Sequence, residues 1–173
     1  VGAPYTQLMD DCDALAKLAA TITGRTDWSW GTRMCDITKS YDWTTLYQAF
    51  AQQAQMPLHE TLINGAPDLA RMRGEVAKIG VRVADDDTWS DLFSRVLAER
   101  IEPFLGLYRP EMLCEYPIHE AALARPVPDA LDVAERFEMY ICGVELANAF
   151  GELTDVSQQR TRFEAEMAEK ERV

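Results

Sequence analysis

The length, composition and charge of the chain suit one folded domain and exclude several functional classes. At 173 residues with 47% apolar content, the chain can bury a hydrophobic core of ordinary size. Its formal net charge of −12 argues against a surface that follows nucleic-acid phosphates, because such surfaces are rich in Lys and Arg. No run of 18 apolar residues is present, so we predict no membrane-spanning segment.

The cysteines and the first residue suggest where the protein occurs. The four cysteines are scattered and form no Cys-x-x-Cys pair. Isolated thiols are typical of reduced proteins, so we predict a cytoplasmic location, although counting alone leaves two disulfides open. The first residue is Val and no charged, then apolar, leader follows it. We therefore expect the chain to be part of a longer product.

The first forty residues are predicted to form a helix followed by irregular structure. Apolar residues at steps of three and four predict a helix over Thr6–Ile22, ended by Gly24. The predicted buried face of this helix consists of Leu8, Cys12, Leu15, Leu18, Ala19 and Ile22. Residues 25–40 show no period and are predicted as a loop or short strands. We expect Trp28 and Trp30 to fold back onto the core in preference to forming a stacking platform.

Two further helices are predicted between residues 41 and 80. The segment 41–50 is expected to start extended and then turn helical, with Thr44 or Thr45 as its N-cap. A helix from Pro67 to Ile79 is predicted next, because proline suits a first helical position and Gly80 can end the helix. The predicted buried side of that helix consists of Leu69, Met72, Val76 and Ile79.

The run Asp85-Asp86-Asp87 has two interpretations. Three adjacent carboxylates could form a metal cluster. They could equally supply the N-cap and the first-turn acids of a helix over Thr88–Ile101, and we prefer this second interpretation. The apolar face of the predicted helix consists of Leu92, Phe93, Val96, Leu97 and Ile101.

The remaining elements before and after the central hairpin are a strand and a charged helix. Met112–Tyr116 is predicted as a short strand ended by Pro117. His119 follows and is predicted to be a solvent-facing loop residue, because no Cys or Ser partner is spaced to suggest a catalytic triad. Asp155 and Gln158 match a capping box at the start of the last helix.

A β-hairpin is predicted over residues 137–150. Two apolar runs, Phe137–Ile141 and Val144–Phe150, are joined by Cys142-Gly143, and a two-residue connection with Gly is typical of a hairpin turn. In and just after the second run stand Glu145, Asn148 and Glu152. A carboxylate in an apolar strand is costly unless it is paired, hydrogen-bonded or bound to a cation. The spacing leaves open either such a site or an edge strand whose polar side chains face water.

Three stretches around this hairpin resemble a known family. They are Arg136-Phe137-Glu138, Gly143-Val144-Glu145-Leu146-Ala147-Asn148 and Phe150-Gly151-Glu152-Leu153-Thr154-Asp155. In this order they resemble class II lysyl-tRNA synthetases, and more closely their short paralogues, the elongation factor P–(R)-β-lysine ligases. Tyr116-Pro117 with residues 122–125 also resembles an element of the family, and the segment 45–50 is a weaker match. Ala149 departs from the family, which usually has Gly there, and we expect its methyl group to lie near the substrate groove.

The resemblance implies an α+β fold, namely a partial class II catalytic core with an antiparallel sheet flanked by helices. A single partial domain would span residues 1–173, with a mostly helical portion over 1–110. Residues 111–173 would supply a strand, the hairpin, the last helix and the site residues. The first two signature motifs of the family would precede this chain and the third would follow it. We therefore expect half an active site, without the arginines of those motifs.

The resemblance also implies ATP and Mg²⁺ as cofactors. Glu145, Leu146 and Glu152 would contact ATP and Mg²⁺, and the two glutamates would be the metal ligands. Asn148, Phe150 and Glu152 would contact the amino acid, with Glu152 pairing its side-chain ammonium. No residue is assigned a catalytic role of its own. Without a cation, Glu145 and Glu152 are expected to repel each other and raise the pKa of at least one of them.

The function implied by the resemblance is ligation of a lysine-type amino acid. We expect the chain to be part of an enzyme that forms an aminoacyl adenylate from lysine or β-lysine and transfers (R)-β-lysine to elongation factor P. An unprotected sheet edge is expected to favour a homodimer. The alternatives are a lysyl-tRNA synthetase core that acts on tRNA, a non-catalytic lysine-binding or dimerisation module derived from one, and an acidic α+β domain with coincidental motif residues.

Overall fold

The fold is built on one five-stranded sheet with helices on both faces. The computed structural model describes residues 3–121 and 123–170. Its α-helices are α1 (Tyr5–Thr23), α2 (Leu46–Gln52), α3 (Leu69–Lys78), α4 (Trp89–Val96) and α5 (Val156–Lys170). Its strands are β1 (Asp27–Trp30), β2 (Arg33–Asp36), β3 (Asp42–Thr45), β4 (Leu62–Ile63), β5 (Ala66–Pro67), β6 (Glu111–Pro117), β7 (Pro126–Val127), β8 (Ala130–Ile141) and β9 (Val144–Phe150). A π-helical turn spans Leu97–Ile101, and 3-10 turns span Leu58–Thr61, Glu102–Phe104 and Ile118–Glu120.

The main sheet has the order β3-β6-β8-β7, and β9 also pairs with β8. β3 runs parallel to β6, whereas β6, β7 and β9 are antiparallel to their partners. β1 with β2, and β4 with β5, form separate two-stranded sheets. The α+β class is confirmed, but the predicted antiparallel sheet is corrected to a mixed one. No helix in the described ranges is long and apolar enough to cross a membrane.

Each face of the main sheet carries its own hydrophobic core. The larger core joins α2, α3 and α4 to Leu113, Tyr116, Ala134 and Tyr140 of the sheet. The smaller core joins α1 and β2 to the opposite face of the sheet, through Met112, Cys114, Phe137, Met139 and Ile141. The alternation of side chains along β6 and β8 therefore fills both cores. All four cysteines are free thiols, as predicted.

The buried face predicted for α1 is wrong except for Cys12, which packs on the smaller core, although the boundaries of the helix are within one residue of the prediction. The side chains that pack on the sheet are Met9, Ala16 and Ala20. Leu15 and Ile22 are instead 65% and 77% exposed. Two alanines at a four-residue step allow the helix to pack closely against a sheet, and a pattern weighted by large apolar residues overlooks such a face.

The starts of α2 and α3 depend on polar caps. The side chain of Thr45 accepts a hydrogen bond from the Gln48 amide, and the Gln48 side chain accepts one from the Thr45 amide, which completes a capping box. The predicted start of α3 at Pro67 is wrong. Pro67 belongs to β5, and the side chain of Asp68 caps the helix by accepting from the Arg71 amide. The αL conformation of Gly80 follows the helix end, as predicted.

The aspartates before α4 supply neither its N-cap nor its first-turn acid, so that prediction is wrong, but Asp87 has a structural role. Asp87 forms a two-pronged ion pair with Arg95, at 2.6 and 2.7 Å, and accepts a hydrogen bond from the Ala84 amide. These contacts hold the pKa of Asp87 well below its usual value. Thr88 is the N-cap of α4 and forms a capping box with Asp91. The predicted α-helix over 88–101 is thus shortened to 89–96 and continues as the π-helical turn.

The central hairpin forms at the predicted turn. Cys142 and Gly143 have φ values of 57° and 71°, which is the left-handed pair required by a type I′ turn. β8 is longer than predicted and begins at Ala130 rather than at Phe137. Its first part pairs with β7 and β6. Charged residues in that part interrupt the apolar pattern that indicates a strand, so the sequence did not predict it.

His119 lies in the larger core region, so the prediction of a solvent-facing loop residue is wrong. Its ring contacts Trp89 edge-on, with ring centres 4.6 Å apart, and Trp89 stacks on Phe93. Both ring nitrogens are buried and have no hydrogen-bond partner among the described residues. Burial therefore lowers the pKa of His119 from 6.5 to about 4.

This burial predicts a pH-dependent loss of stability. Between pH 6.5 and 4 the unfolded chain binds a proton on this histidine that the folded chain does not bind, so the free energy of unfolding falls as the pH falls. His119→Phe is expected to reduce that fall by about 1–2 kcal/mol, allowing for partial exposure. Urea unfolding at several pH values measures it. His59→Phe, at an exposed position, is the control, and an unchanged pH dependence in the His119 variant would contradict the prediction.

Gly106 permits a close approach between the 3-10 turn segment and β8. Its φ is +64°, and an added Cβ would overlap the Tyr140 carbonyl oxygen and lie 2.8 Å from the Ile141 Cα. Gly24 has a similar φ of +66° but open space around it. Gly24→Ala is expected to cost about 1 kcal/mol of folding free energy, from backbone strain alone.

Gly106→Ala is expected to cost several times more than Gly24→Ala, at least about 3 kcal/mol, because backbone atoms must also move apart. Chemical denaturation of the two variants under identical conditions measures the difference. Equal losses would show that the approach at Gly106 relaxes without cost.

Candidate active site

Polar side chains of β8 and β9 share one face of the main sheet. The register aligns Glu138 with Asn148. A β-bulge between Met139 and Tyr140 then aligns Glu145 with Tyr140. Residues 145 and 148 are an odd number of positions apart and would point to opposite faces of a regular strand. The bulge therefore brings both onto the face that carries Glu138.

Glu138 is the most buried acid of this face, at 5% exposure. Its Oε1 accepts hydrogen bonds from Arg136 Nη2 at 2.6 Å and from Asn148 Nδ2 at 3.1 Å. Its Oε2 accepts one from the Tyr140 hydroxyl at 2.7 Å. Three donors satisfy the carboxylate, which offsets the cost of removing its charge from water.

Arg136 connects this acid to the neighbouring loop. Its Nη1 donates to the Glu120 carbonyl at 2.8 Å, and its guanidinium carbon lies 4.3 Å above the centre of the Tyr116 ring. A planar guanidinium can make these contacts at once, whereas an ammonium cannot. Arg136 therefore fixes both the charge balance and the shape of the site.

Two further acids lie close to Glu138. Burial raises the pKa of Glu145, and the neighbouring charge of Glu138 raises it further. Burial also raises the pKa of Glu102, whose Oε1 lies 3.3 Å from the Tyr140 hydroxyl oxygen. Negative charge is thus concentrated in one region. The pKa rise expected for at least one of the two glutamates is present at Glu145, but its causes are burial first and then the charge of Glu138, not that of Glu152.

A groove of about 480 Å³ opens beside the acidic residues. It is lined by Glu120, Ala121, Leu123, Ala124, Arg136, Asn148, Phe150 and Phe163. The residue preceding Leu123 in the family-like motif, Ala122, lies outside the described residues. The groove combines apolar walls with an amide and a guanidinium, which suits a small ligand that has an apolar stem and polar ends.

The residues predicted for the site are only partly brought together. Asn148 and Phe150 line the groove, and Glu145 lies on the acidic face. Glu152 is exposed and pairs through its backbone with Ala124, which is itself a groove residue. Leu146 is 51% exposed, at the bulge. The methyl of Ala149 packs on the smaller core, so the expectation that it lies near the groove is wrong.

The acidic face offers ligands of the kind that Mg²⁺ prefers. Mg²⁺ is usually held by one or two carboxylates together with phosphate oxygens and water. Within the described ranges no group of three or more His, Cys, Asp or Glu residues could hold a metal ion alone. Glu138 and Glu145 could supply two carboxylates, and a cation between them would relieve the repulsion that raises the pKa of Glu145.

Sequence reasoning missed three residues of this arrangement: Glu138, Tyr140 and Glu102. Glu138 stands in a quoted motif, between two apolar residues of a strand, and that position was a sufficient signal. Tyr140 was counted only as an apolar strand residue. Glu102 precedes Pro103 and carries no local signal, because only the fold brings it to β8.

Comparison with known proteins confirms the resemblance to lysine ligases. The chain is 30% identical to a lysine–tRNA ligase of Herminiimonas arsenicoxydans over 168 residues, which is 96% of the chain and 32% of that protein. It is 41% identical to an elongation factor P–(R)-β-lysine ligase of Klebsiella pneumoniae over 99 residues, which is 56% of the chain and 30% of that protein. A lysine–tRNA ligase of Chloroflexus aurantiacus is 26% identical over 155 residues, with 90% and 30% covered.

The chain therefore spans about a third of the length of these relatives. No protein-family model matches it. The relatives support a ligase of the lysine type.

The pairing of Arg136 with Glu138 predicts a large effect on stability. Arg136→Met leaves a buried carboxylate without its cation, which is expected to cost about 3–5 kcal/mol of folding free energy. Adding Glu138→Gln in the same chain is expected to recover at least half of the loss. Urea unfolding measures both variants.

Arg109→Met is the matched control, because its ion pair with Asp42 is exposed and is expected to contribute no more than about 1 kcal/mol. A loss of similar size in the Arg109 and Arg136 variants would contradict the assignment of Arg136 as the partner of a buried charge.

Proposed function

We propose that the chain is part of an ATP-dependent lysine-type ligase that forms an aminoacyl adenylate and transfers (R)-β-lysine to a lysine of elongation factor P. The observation that carries the proposal is the pair of acids Glu138 and Glu145 on one face of adjacent strands, beside a groove of amino-acid size. The similarity to ligases of that name supports the choice of reaction.

The groove would bind the amino acid. Asn148 would hydrogen-bond its amino or carboxyl group, and Phe150 would contact its aliphatic stem. Glu152, exposed beside the groove, would pair with the side-chain ammonium. A lysine-type substrate, either lysine or β-lysine, has the cationic end and the apolar stem that this arrangement needs.

The acids would act on the nucleotide side of the reaction. Attack of the substrate carboxylate on the α-phosphorus of ATP forms the adenylate and releases pyrophosphate. Bound Mg²⁺ supplies neutralisation of phosphate charge. Glu138 and Glu145 would hold this ion, Glu152 is a further candidate, and Leu146 would contact the nucleotide. These residues would orient the nucleotide and its metal ion without forming a covalent intermediate. Positioning and electrostatics would therefore account for their contribution to catalysis.

A lysine–tRNA ligase is the second candidate. Similarity to proteins of that name extends over nearly the whole chain, whereas similarity to the elongation factor P ligases covers just over half of it. Both reactions begin with the same adenylate, so the acceptor, elongation factor P or tRNA, distinguishes them. We also propose a cytoplasmic homodimer, for which β3 and β9, edge strands of the sheet within the described ranges, offer backbone groups for pairing.

The test is ATP–pyrophosphate exchange with Mg²⁺ and either lysine or (R)-β-lysine, on this chain and on the full translated product of its gene. We expect exchange by the full product, and a loss of at least about 100-fold in Glu138→Gln and Glu145→Gln. Glu99→Gln, at an exposed position outside the site, is the control. Label transfer to elongation factor P or to tRNA then identifies the acceptor.

Absence of exchange with both amino acids in the full product, under conditions where it is folded, would overturn the proposal and favour a binding module without activation. Transfer to tRNA alone would replace the first candidate by the second.

A further inference from the structure

Glu102 reaches the acidic face because its segment is held against the hairpin turn. The amide of Cys142 donates to the Gly106 carbonyl at 2.9 Å, and the amide of Gly143 donates to the Leu105 carbonyl at 2.8 Å. A Cβ at Gly143 would lie 3.1 Å from the Glu102 carbonyl oxygen, so a glycine there allows the close approach. The π-helical turn ends at the preceding residue, and turns of this kind occur often at functional sites.

The Tyr140 hydroxyl lies between two carboxylates. It is 2.7 Å from Glu138 Oε2 and 3.3 Å from Glu102 Oε1, and the residue is fully buried. A phenol has one proton and can donate it to one acceptor at a time. The distances indicate that it donates to Glu138 in this state, with Glu102 as a second acceptor within reach.

A second buried hydroxyl points to a ligand at the same place. Tyr116 is 1% exposed, and its hydroxyl oxygen makes no hydrogen bond of good geometry among the described residues, while burial and the charge of Glu138 raise its pKa. A buried hydroxyl without a partner is costly, and a ligand or its bound water can supply the missing hydrogen bond. The acids are thus accompanied by a buried hydroxyl that lacks a well-formed hydrogen bond.

We propose that Glu102 is a positioning residue that accepts the hydrogen bond of the Tyr140 hydroxyl when Glu138 Oε2 turns to a divalent cation. The inference rests on the proposed function for its cation, but not on the amino acid or the acceptor. When Glu138 binds the ion, its hydrogen bond from Tyr140 is lost. Rotation of the phenolic hydrogen to Glu102 Oε1 keeps the buried hydroxyl satisfied, so the ion does not leave an unpaired donor behind.

The experiment is a double-mutant cycle read by Mn²⁺ affinity, with free Mn²⁺ measured by electron paramagnetic resonance. Glu102→Ala is expected to weaken Mn²⁺ binding about 10-fold, because the buried donor is left unpaired in the ion-bound state. The same substitution in a Tyr140→Phe background is expected to change the affinity less than 2-fold, since no hydroxyl remains to be satisfied. Glu102→Gln keeps an acceptor oxygen and is expected to stay within about 3-fold of the parent chain.

Four outcomes would overturn the inference. If Glu102→Ala weakens Mn²⁺ binding equally in the parent and in the Tyr140→Phe background, Glu102 acts as a direct ligand or through its charge, not through the hydroxyl. Equal weakening by Glu102→Gln and Glu102→Ala would assign the effect to charge. No effect in any variant, or no Mn²⁺ binding by the parent chain, would remove Glu102 from the site. Thermal melting of each variant without Mn²⁺ verifies that it is folded.

The cycle can be distinguished from the test of the proposed function. If amino-acid-dependent exchange is absent but the Mn²⁺ affinities of the variants follow the expected pattern, the ligase proposal is overturned and the role of Glu102 is retained. If exchange occurs but the Glu102 substitutions do not change the Mn²⁺ affinity, the ligase proposal is retained and the role of Glu102 is overturned.

Discussion

The buried carboxylate of Glu138 is the constraint on which the rest of the site depends. A charge at 5% exposure in the centre of a strand is tolerated only with its donors in place, and these come from β8 itself and from β9. Because Asn148 is one of them, the acid also fixes the register of the hairpin. A slip of one residue would move Asn148 to the opposite face and leave the charge undersatisfied. The hydrogen bonds that stabilise the Glu138 charge therefore require the same pairing of β8 with β9 that is observed.

The remaining elements support this arrangement from two sides. Arg136 extends it to the loop at Glu120, and so connects the acidic face to the wall of the groove. On the other side, the segment before β6 is hydrogen-bonded to the turn at Cys142 and Gly143 and brings a further acid to Tyr140. Helix α5 is held to the groove by Arg162, which donates to the carbonyls of Ala121 and Ala124. The groove thus has walls from separate parts of the chain around one rigid hairpin.

Local signals in the sequence predicted the elements whose causes are local. The Cys142-Gly143 turn, the cap at Thr45 and the last residues of α1 depend on backbone preferences of a few adjacent residues, which a sequence displays. The packed face of α1 was not predictable in this way. Ala16 and Ala20 form that face because they contact the sheet, and this contact is not visible in the local sequence. His119 likewise depends on aromatic neighbours that are distant in sequence.

The same distinction applies to the site. Glu145 and Asn148 were identifiable as polar residues in an apolar strand, but regular alternation would have separated them, and only the bulge unites them. Because the bulge restores alternation afterwards, Ala147 and Ala149 face α1 while Asn148 and Phe150 face the groove. Neighbouring positions of one strand thus make different contacts. Phe150 can therefore change the wall of the groove while the contact of Ala149 with the smaller core stays constant, whereas Asn148 is also tied to the buried charge of Glu138.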